Sequence, residues 1–368
     1  MRHYVFKRRW KRALARVVDA LGAPLAPRRR AVPAGTRNLL IVRLDHIGDV
    51  VCLLPFLDAL AGLSPKLRVT TLTRTAGAIL LRDTPGVDER LVFDAPWFGR
   101  GERTATGFGH LARLVRGRGF EVSLEMTGDA RHHLALALAG VPFRAGYSVT
   151  GGAFLLHREL PWDATMHAAD RNMAFMPLLG APARTGDVPH LTWRSRDSEL
   201  AWLAGLGNGR RLILHVDAGT PARRWPADRF AALARDARRA GLTPVFVGLD
   251  PALSKAVQGT GGTDLIGRTS FEQLVTLIQA SEGVVSADSG PAHIAAALGK
   301  PVLVLWSGTA DPAIWRPRGK AVRWVEVPVP CAYCGQIRCP LPRHACMEDL
   351  TIERVRPAFE HLLAAARG

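Results

Sequence analysis

Several common chemistries are missing from these 368 residues. There is no Walker A loop and no HExxH helix, which excludes P-loop phosphoryl transfer and zinc-helix hydrolysis. A near-match to a dinucleotide fingerprint, Gly107-Phe108-Gly109-His110-Leu111-Ala112, follows a loop rather than a strand, so NAD chemistry drops out as well. No two aspartates stand two apart, so there is no Asp-x-Asp pair of the kind that holds a divalent cation on a pyrophosphate. No run approaches the ~18 apolar residues of a membrane span, and the basic start lacks the apolar core and cleavage site of a signal peptide. The expected location is therefore cytoplasmic. Acidic residues are scarce, 32 against 49 Lys and Arg, and the net charge of +17 points to an anionic partner: nucleic acid, an acidic membrane surface or a phosphorylated substrate. With only three tyrosines, an aromatic-lined basic groove is not evident, which argues against nucleic acid.

Apolar residues form 48% of the chain and charged residues 22%, a globular balance, and the length exceeds one ordinary α/β core. The first thirty positions carry ten Lys or Arg, opposed only by Asp19. Within them Phe6, Trp10, Leu14, Val17 and Leu21 recur at spacings of four, four, three and four, one face of a helix with Lys7, Arg8, Arg9, Lys11, Arg12 and Arg16 around it. This pattern suits a helix lying on an inner-leaflet membrane surface through residues 4–21; the alternative is a helix docked on the protein by the same stripe. Gly22 and Pro24 end it, and residues 27–35 read as a linker.

Beyond residue 35, short β-branched runs alternate with helical patterns, which implies parallel strands joined by helices. Strands are predicted at 39–44, 68–72, 90–93, 121–124, 212–216, 243–247, 264–266, 283–287 and 302–306, and Ser270 with Gln273 forms a capping box. The boundaries expected are a basic amphipathic extension over 1–34, a Rossmann-like domain over 35–185, a second over 186–350 and a terminal helix over 351–368 that packs back across the first domain.

Three loops carry chemistry. In Arg43-Leu44-Asp45-His46-Ile47-Gly48-Asp49-Val50 a strand runs through a glycine turn into a helix, and Asp49 is placed to take a proton from an attacking hydroxyl; a plain capping role is the alternative. In Asp288-Ser289-Gly290-Pro291-Ala292-His293, Gly290 removes a side chain at the turn and Pro291 suits the first helical position, so free amides can cradle a diphosphate. Asp288 is placed for sugar hydroxyls and His293 for a phosphate or for loop support. In Asp217-Ala218-Gly219-Thr220-Pro221-Ala222-Arg223-Arg224-Trp225-Pro226, either arginine suits charge developing on a departing diphosphate, with a solvated cation pair and a core Trp225 as the alternatives.

Together with Gly248 in Val247-Gly248-Leu249-Asp250, these loops resemble glycosyltransferase family 9, the ADP-heptose:lipopolysaccharide heptosyltransferases. The matching elements are Ile47-Gly48-Asp49, Arg223-Arg224-Trp225-Pro226, and Asp288 to His293 followed by Ala296-Ala297-Leu298-Gly299-Lys300-Pro301. The resemblance implies an α/β GT-B fold, two Rossmann-like domains whose parallel sheets face each other across a cleft. It implies inverting, metal-independent heptosyl transfer from ADP-heptose to a lipopolysaccharide core acceptor, an anionic glycolipid, with no cofactor required for catalysis and peripheral attachment to the inner membrane. Asp49 would be the base. The nucleotide-diphosphate sugar would be held by Gly48, Thr220, Arg223, Arg224, Gly248, Asp288, Ser289, Gly290, Pro291, Ala292 and His293, with Arg223 standing where the family usually has lysine. The competing readings are a family member with another sugar donor and surface glycan, and a non-catalytic basic protein that binds membrane or nucleic acid. Separately, the spacing of Cys331, Cys334, Cys339 and Cys346, with His344 among them, favours a structural zinc, with disulfides or free thiols as alternatives.

Overall fold

The computed structural model describes residues 4, 6, 8–63, 67–97 and 107–366. It divides into two compact units, Met1–Asp187 and Val188–Gly368.

The first unit is built on six parallel strands: β1 (Asn38–Arg43), β2 (Arg68–Thr73), β3 (Glu89–Val92), β4 (Val122–Glu125), β5 (Phe143–Gly146) and β6 (Arg158–Glu159), in the order β3-β2-β1-β4-β5-β6. Leu39 to Val42 of β1 are fully buried, as expected of a central strand covered by helices on both faces. Leu40, Val42, Leu72 and Leu136 share one of the cores. The strand order reverses between β1 and β4, whose register sets Leu39 opposite Val122 and Val42 opposite Glu125. Ligands of open α/β sheets bind outside the carboxyl ends of the strands at such a reversal, so the loops after β1 and β4 are where chemistry is expected.

Helix Arg9–Gly22 belongs to this unit and is seated by the side opposite its apolar stripe. Asp19, 2% exposed, accepts hydrogen bonds from the Gly152 and Ala153 amides and from the Tyr4 hydroxyl. Gly22 lies so close to the Phe154 ring that a Cβ there would overlap it.

The second unit repeats the winding with β7 (Arg211–His215), β8 (Thr243–Val247), β9 (Thr263–Asp264), β10 (Gly283–Ala287), β11 (Val302–Leu305) and β12 (Val322–Val325), in the order β12-β11-β10-β7-β8-β9. All its pairings are parallel, and the reversal falls between β7 and β10. Helix Ile352–Ala365 lies within this unit. Its Val355, Phe359 and Leu362 join Leu212, Leu303 and Phe246 in the core of the second, because that apolar face meets β11 and β12. Trp225 packs edge-on against Phe230 and donates its indole N–H to the Leu350 carbonyl at 2.6 Å, which makes it a core residue.

Candidate functional site

At the end of β1 the chain places a buried arginine among two carboxylates. Arg43 reaches Asp45 (Nε–Oδ1 3.0 Å) and Asp49 (Nη2–Oδ1 3.0 Å), and donates to Asn172 Oδ1 at 3.3 Å and to the Met126 carbonyl. Asn172 is itself held by the Cys52 carbonyl at 2.8 Å. Burial works against the charge of Arg43, but Asp45 and Asp49 outweigh it and hold the guanidinium above its usual range. Burial, reinforced by the Asp49 carboxylate, pushes the Asp45 carboxyl up to about 8 despite Arg43. Asp49 sits at the third position of helix Ile47–Val51, where its Oδ2 accepts from the His46 amide at 3.3 Å as half of a capping box. Both carboxylate oxygens of Asp49 are thus engaged, Oδ1 by Arg43 and Oδ2 by the backbone. Gly48 occupies the helix turn just before it.

The end of β4 carries a second buried set that the motif reading missed. Glu125 is fully buried, and its carboxylate accepts four hydrogen bonds: Thr127 N (3.1 Å) and His132 Nδ1 (2.9 Å) on Oε1, Gly128 N (2.6 Å) and His133 Nε2 (3.1 Å) on Oε2. Burial alone would raise the acid, but the two imidazole hydrogen bonds prevail and hold it below the carboxylate range. The Trp97 indole, a donor only, gives its proton to His132 Nε2 at 3.3 Å, which leaves His132 Nδ1 as the donor to Glu125. This set fixes the 126–128 loop, and that loop is tied to β1 and its exit: Met126 N donates to the Val42 carbonyl at 3.1 Å, Arg43 to the Met126 carbonyl and Leu44 N to Thr127 Oγ1 at 3.4 Å. The available sequence signal was the pair His132-His133 close behind a strand ending in an acid.

In the second unit the loops after β7, β10 and β11 meet through Arg223. Its Nη1 pairs with Asp288 Oδ2 at 3.1 Å and donates to the Asp288 carbonyl at 3.3 Å, while Nε donates to Thr309 Oγ1 at 3.3 Å. Nearby in the chain, the hydroxyl of Thr220 is buried without a hydrogen-bond partner. Ser289, the residue before helix Gly290–Ala297, leaves the amide end of that helix uncapped by its side chain and instead bonds Ser286 at 2.8 Å. His215, behind it, reaches Ser286 Oγ at 3.1 Å, and burial pushes its imidazole down to about 4. Pro291 is in the first turn of the helix, followed by buried Ala292 and His293.

Arg224 turns elsewhere. It pairs with Asp217 (2.8 Å) and Asp250 (3.1 Å), and Asp217 also accepts from the Leu249 and Asp250 amides at 3.1 Å. Arg224 therefore ties the loop after β7 to the one after β8. There Gly248 stands so close to Asp217 that a Cβ would come within 3.0 Å of it. The tandem arginines, equivalent in the sequence, have separate surroundings: Arg223 faces Asp288 and Thr309, Arg224 faces Asp217 and Asp250.

Among the described residues no group of three or more His, Cys, Asp or Glu side chains is arranged to hold a metal ion, and the cysteines are free. Cys346 is buried in helix Ala345–Glu348, Cys331 is exposed, and the Cys339 thiol points to the Arg343 carbonyl at 3.9 Å. His344 spends its Nε2 on the Ala222 carbonyl at 3.1 Å.

Known proteins share this architecture and sequence pattern. Lipopolysaccharide heptosyltransferase 2 of Salmonella typhimurium is 23% identical over 347 residues, covering 89% of this chain and 99% of the relative. Among solved structures, a family 9 glycosyl transferase from Veillonella parvula superposes with a TM-score of 0.78 at 22% identity, covering 91% of this chain and 99% of that one. E. coli ADP-heptose lps heptosyltransferase II superposes with a TM-score of 0.71 at 21% identity, covering 90% and 100%. Both likenesses establish the α/β, GT-B fold. Residues 108–344 match the family described as "Glycosyltransferase family 9 (heptosyltransferase)", a span of well over half the chain, and the protein is accordingly a glycosyltransferase belonging to family 9.

Proposed function

We propose that the protein is an inverting heptosyltransferase that moves heptose from ADP-heptose to a lipopolysaccharide core acceptor, with protein groups rather than a metal ion balancing the diphosphate. The observation that carries this reading is the junction of Arg223, Asp288 and Thr309 at the strand-order reversal of the second unit, beside the unpartnered Thr220 hydroxyl and the uncapped amides of helix Gly290–Ala297. A guanidinium, a hydroxyl and helix amides form a donor set suited to a pyrophosphate, and the chain has no Asp-x-Asp pair to bring a cation there. Arg223, Thr220 and the amides of Ser289 and Gly290 grip the diphosphate, with Pro291 and Ala292 forming the first turn behind them and His293 supporting it. Asp288 orients both Arg223 and the sugar hydroxyls. Arg224 and Gly248 shape the adjoining loop.

The first unit supplies the base. Asp49 takes the proton of the acceptor hydroxyl as its oxygen bonds to the anomeric carbon. The bond from that carbon to the phosphate oxygen breaks on the opposite face, its electron pair leaves with ADP, and the configuration inverts. Arg223 and the helix amides stabilise the negative charge that grows on the departing phosphate.

Calorimetry without added metal, using ADP, UDP, GDP and ADP-heptose, tests the donor assignment. The adenine nucleotides should bind best, and Arg223→Ala should weaken them by ~10- to 100-fold, the worth of one charge-assisted contact. Equal binding by the variant would remove Arg223 from the site, and a preference for another base would change the sugar donor.

A further inference from the structure

Helix Arg9–Gly22 has two faces with opposite fates. At about 100° per residue, Trp10, Leu14, Val17 and Leu21 lie on one side, while Ala15, Asp19 and Gly22 lie roughly 140° away. The second set is buried against the first unit; the first is open to solvent, with Trp10 57% and Leu21 74% exposed, and Leu25 just beyond the helix extends the apolar strip. A stripe of this kind normally costs a protein solubility and marks a contact surface.

The charges around it select the partner. Arg8, Arg9, Lys11, Arg16, Arg28 and Arg29 are exposed along the same segment, and Lys11 lies 5.6 Å from the Trp10 ring. The only acidic residue between 8 and 30 is Asp19, and it is buried beneath the helix. A second copy of this chain would bring cations against cations. An anionic bilayer answers both features, because acyl chains receive the apolar strip while lipid phosphates receive the arginines.

We propose that this helix is a preformed membrane-docking element, clamped to the first unit by Asp19 so that its apolar stripe seats the enzyme on an anionic lipid bilayer. The clamp distinguishes it from a tail that folds only on contact with lipid. The Asp19 carboxylate receives two loop amides at 2.7 and 3.2 Å and the Tyr4 hydroxyl at 2.7 Å, so the stripe faces outward before lipid arrives. The unit behind it is then held at a fixed attitude to the membrane. None of this rests on the donor or base assignments, and lipid binding is read without turnover.

The test is co-sedimentation of the full chain with phosphatidylcholine vesicles containing about 30 mol% phosphatidylglycerol, alongside pure phosphatidylcholine vesicles and the variant W10E/L14E/L21E. Binding should be at least ~tenfold tighter to the anionic vesicles, should weaken toward about 0.5 M salt, and should fall by ~tenfold or more in the variant. The variant should keep the wild-type melting profile. A wild-type protein that stays in the supernatant overturns the proposal, as does a variant that pellets equally well. A wild-type dimer that the variant dissolves, without lipid binding, overturns it in favour of a second copy. The clamp is read separately by hydrogen exchange in lipid-free protein: the Gly152 and Ala153 amides should exchange slowly, and faster in Asp19→Ala. Free exchange of both in the wild type would overturn the preformed arrangement.

Discussion

Replacing Glu125 by glutamine removes one charge and almost no volume, yet the structure assigns it a definite cost. The carboxylate accepts four donors, and a glutamine has a single oxygen to offer. His132 cannot adapt, because Trp97 requires its Nε2 as an acceptor and so keeps Nδ1 a donor. The new oxygen must therefore take the Oε1 position, facing Thr127 N and His132. The new amide group then faces Gly128 N and His133. His133 can adapt, since its buried Nδ1 has no partner and can take the ring proton, which frees Nε2 to accept. Two buried donors, the Gly128 amide and the new His133 Nδ1–H, stay unsatisfied at ~1–3 kcal/mol each, and the remaining bonds lose their charge assistance at a few tenths each. The sum is about 4 kcal/mol, and Glu125→Ala, which strands all four donors and opens a cavity, should cost more. Urea unfolding of wild type, Gln and Ala variants measures the totals. Hydrogen exchange at Gly128 isolates the local term and should show its protection falling ~10- to 100-fold in the Gln variant. If Gln is within about 0.5 kcal/mol of wild type, or costs as much as Ala, the four-donor account of this cluster is wrong.

Two further outcomes follow from the carboxylates after β1. Asp49→Asn preserves the capping acceptor but not the base, so kcat should drop by ~10²- to 10⁴-fold with the donor Kd unchanged; unaltered turnover would exclude Asp49 as base. For Asp45, whose carboxyl is raised to about 8, the folded protein holds more protons than the unfolded chain from about pH 4 to 8. This contribution is fully present below the unfolded value and is lost as pH rises through 8, with a slope of at most ~1.4 kcal/mol per pH unit. Thermal melts from pH 5 to 8.5 should therefore decline less in Asp45→Asn than in wild type; parallel curves would contradict the raised carboxyl.

The alternation of elements was legible because parallel strands buried on both faces must be apolar runs, as in Leu39 to Val42 and Gly283 to Ala287. Edge strands lack that constraint. Val322–Val325 contains Arg323 and Trp324 on a half-covered edge, and Arg158–Glu159 is two charged residues, so neither has a pattern to read. Loop motifs stood out through glycine, proline and charge at fixed offsets. Glu125, His132 and His133 did not, because what unites them is the fold of a strand, a turn and a helix around one carboxylate, and spacing alone does not reveal who donates to whom. The cysteines stood out by their spacing, but spacing does not reveal that Cys346 is buried or that His344 bonds the Ala222 carbonyl.

The Arg223-Arg224-Trp225-Pro226 segment meets Asp288 and Thr309 at one end and, at the other, hangs from the Leu350 carbonyl through Trp225, with Arg229 donating to Met347, Glu348 and Leu350. Under the proposed donor site, one short segment thus serves both as a ligand-facing loop and as the fastening of the stretch that leads into the chain's final helix. Damage to that helix, more than a hundred residues downstream, would register as poor nucleotide affinity, and a mutational map of binding in this enzyme would trace its mechanical supports along with its contacts.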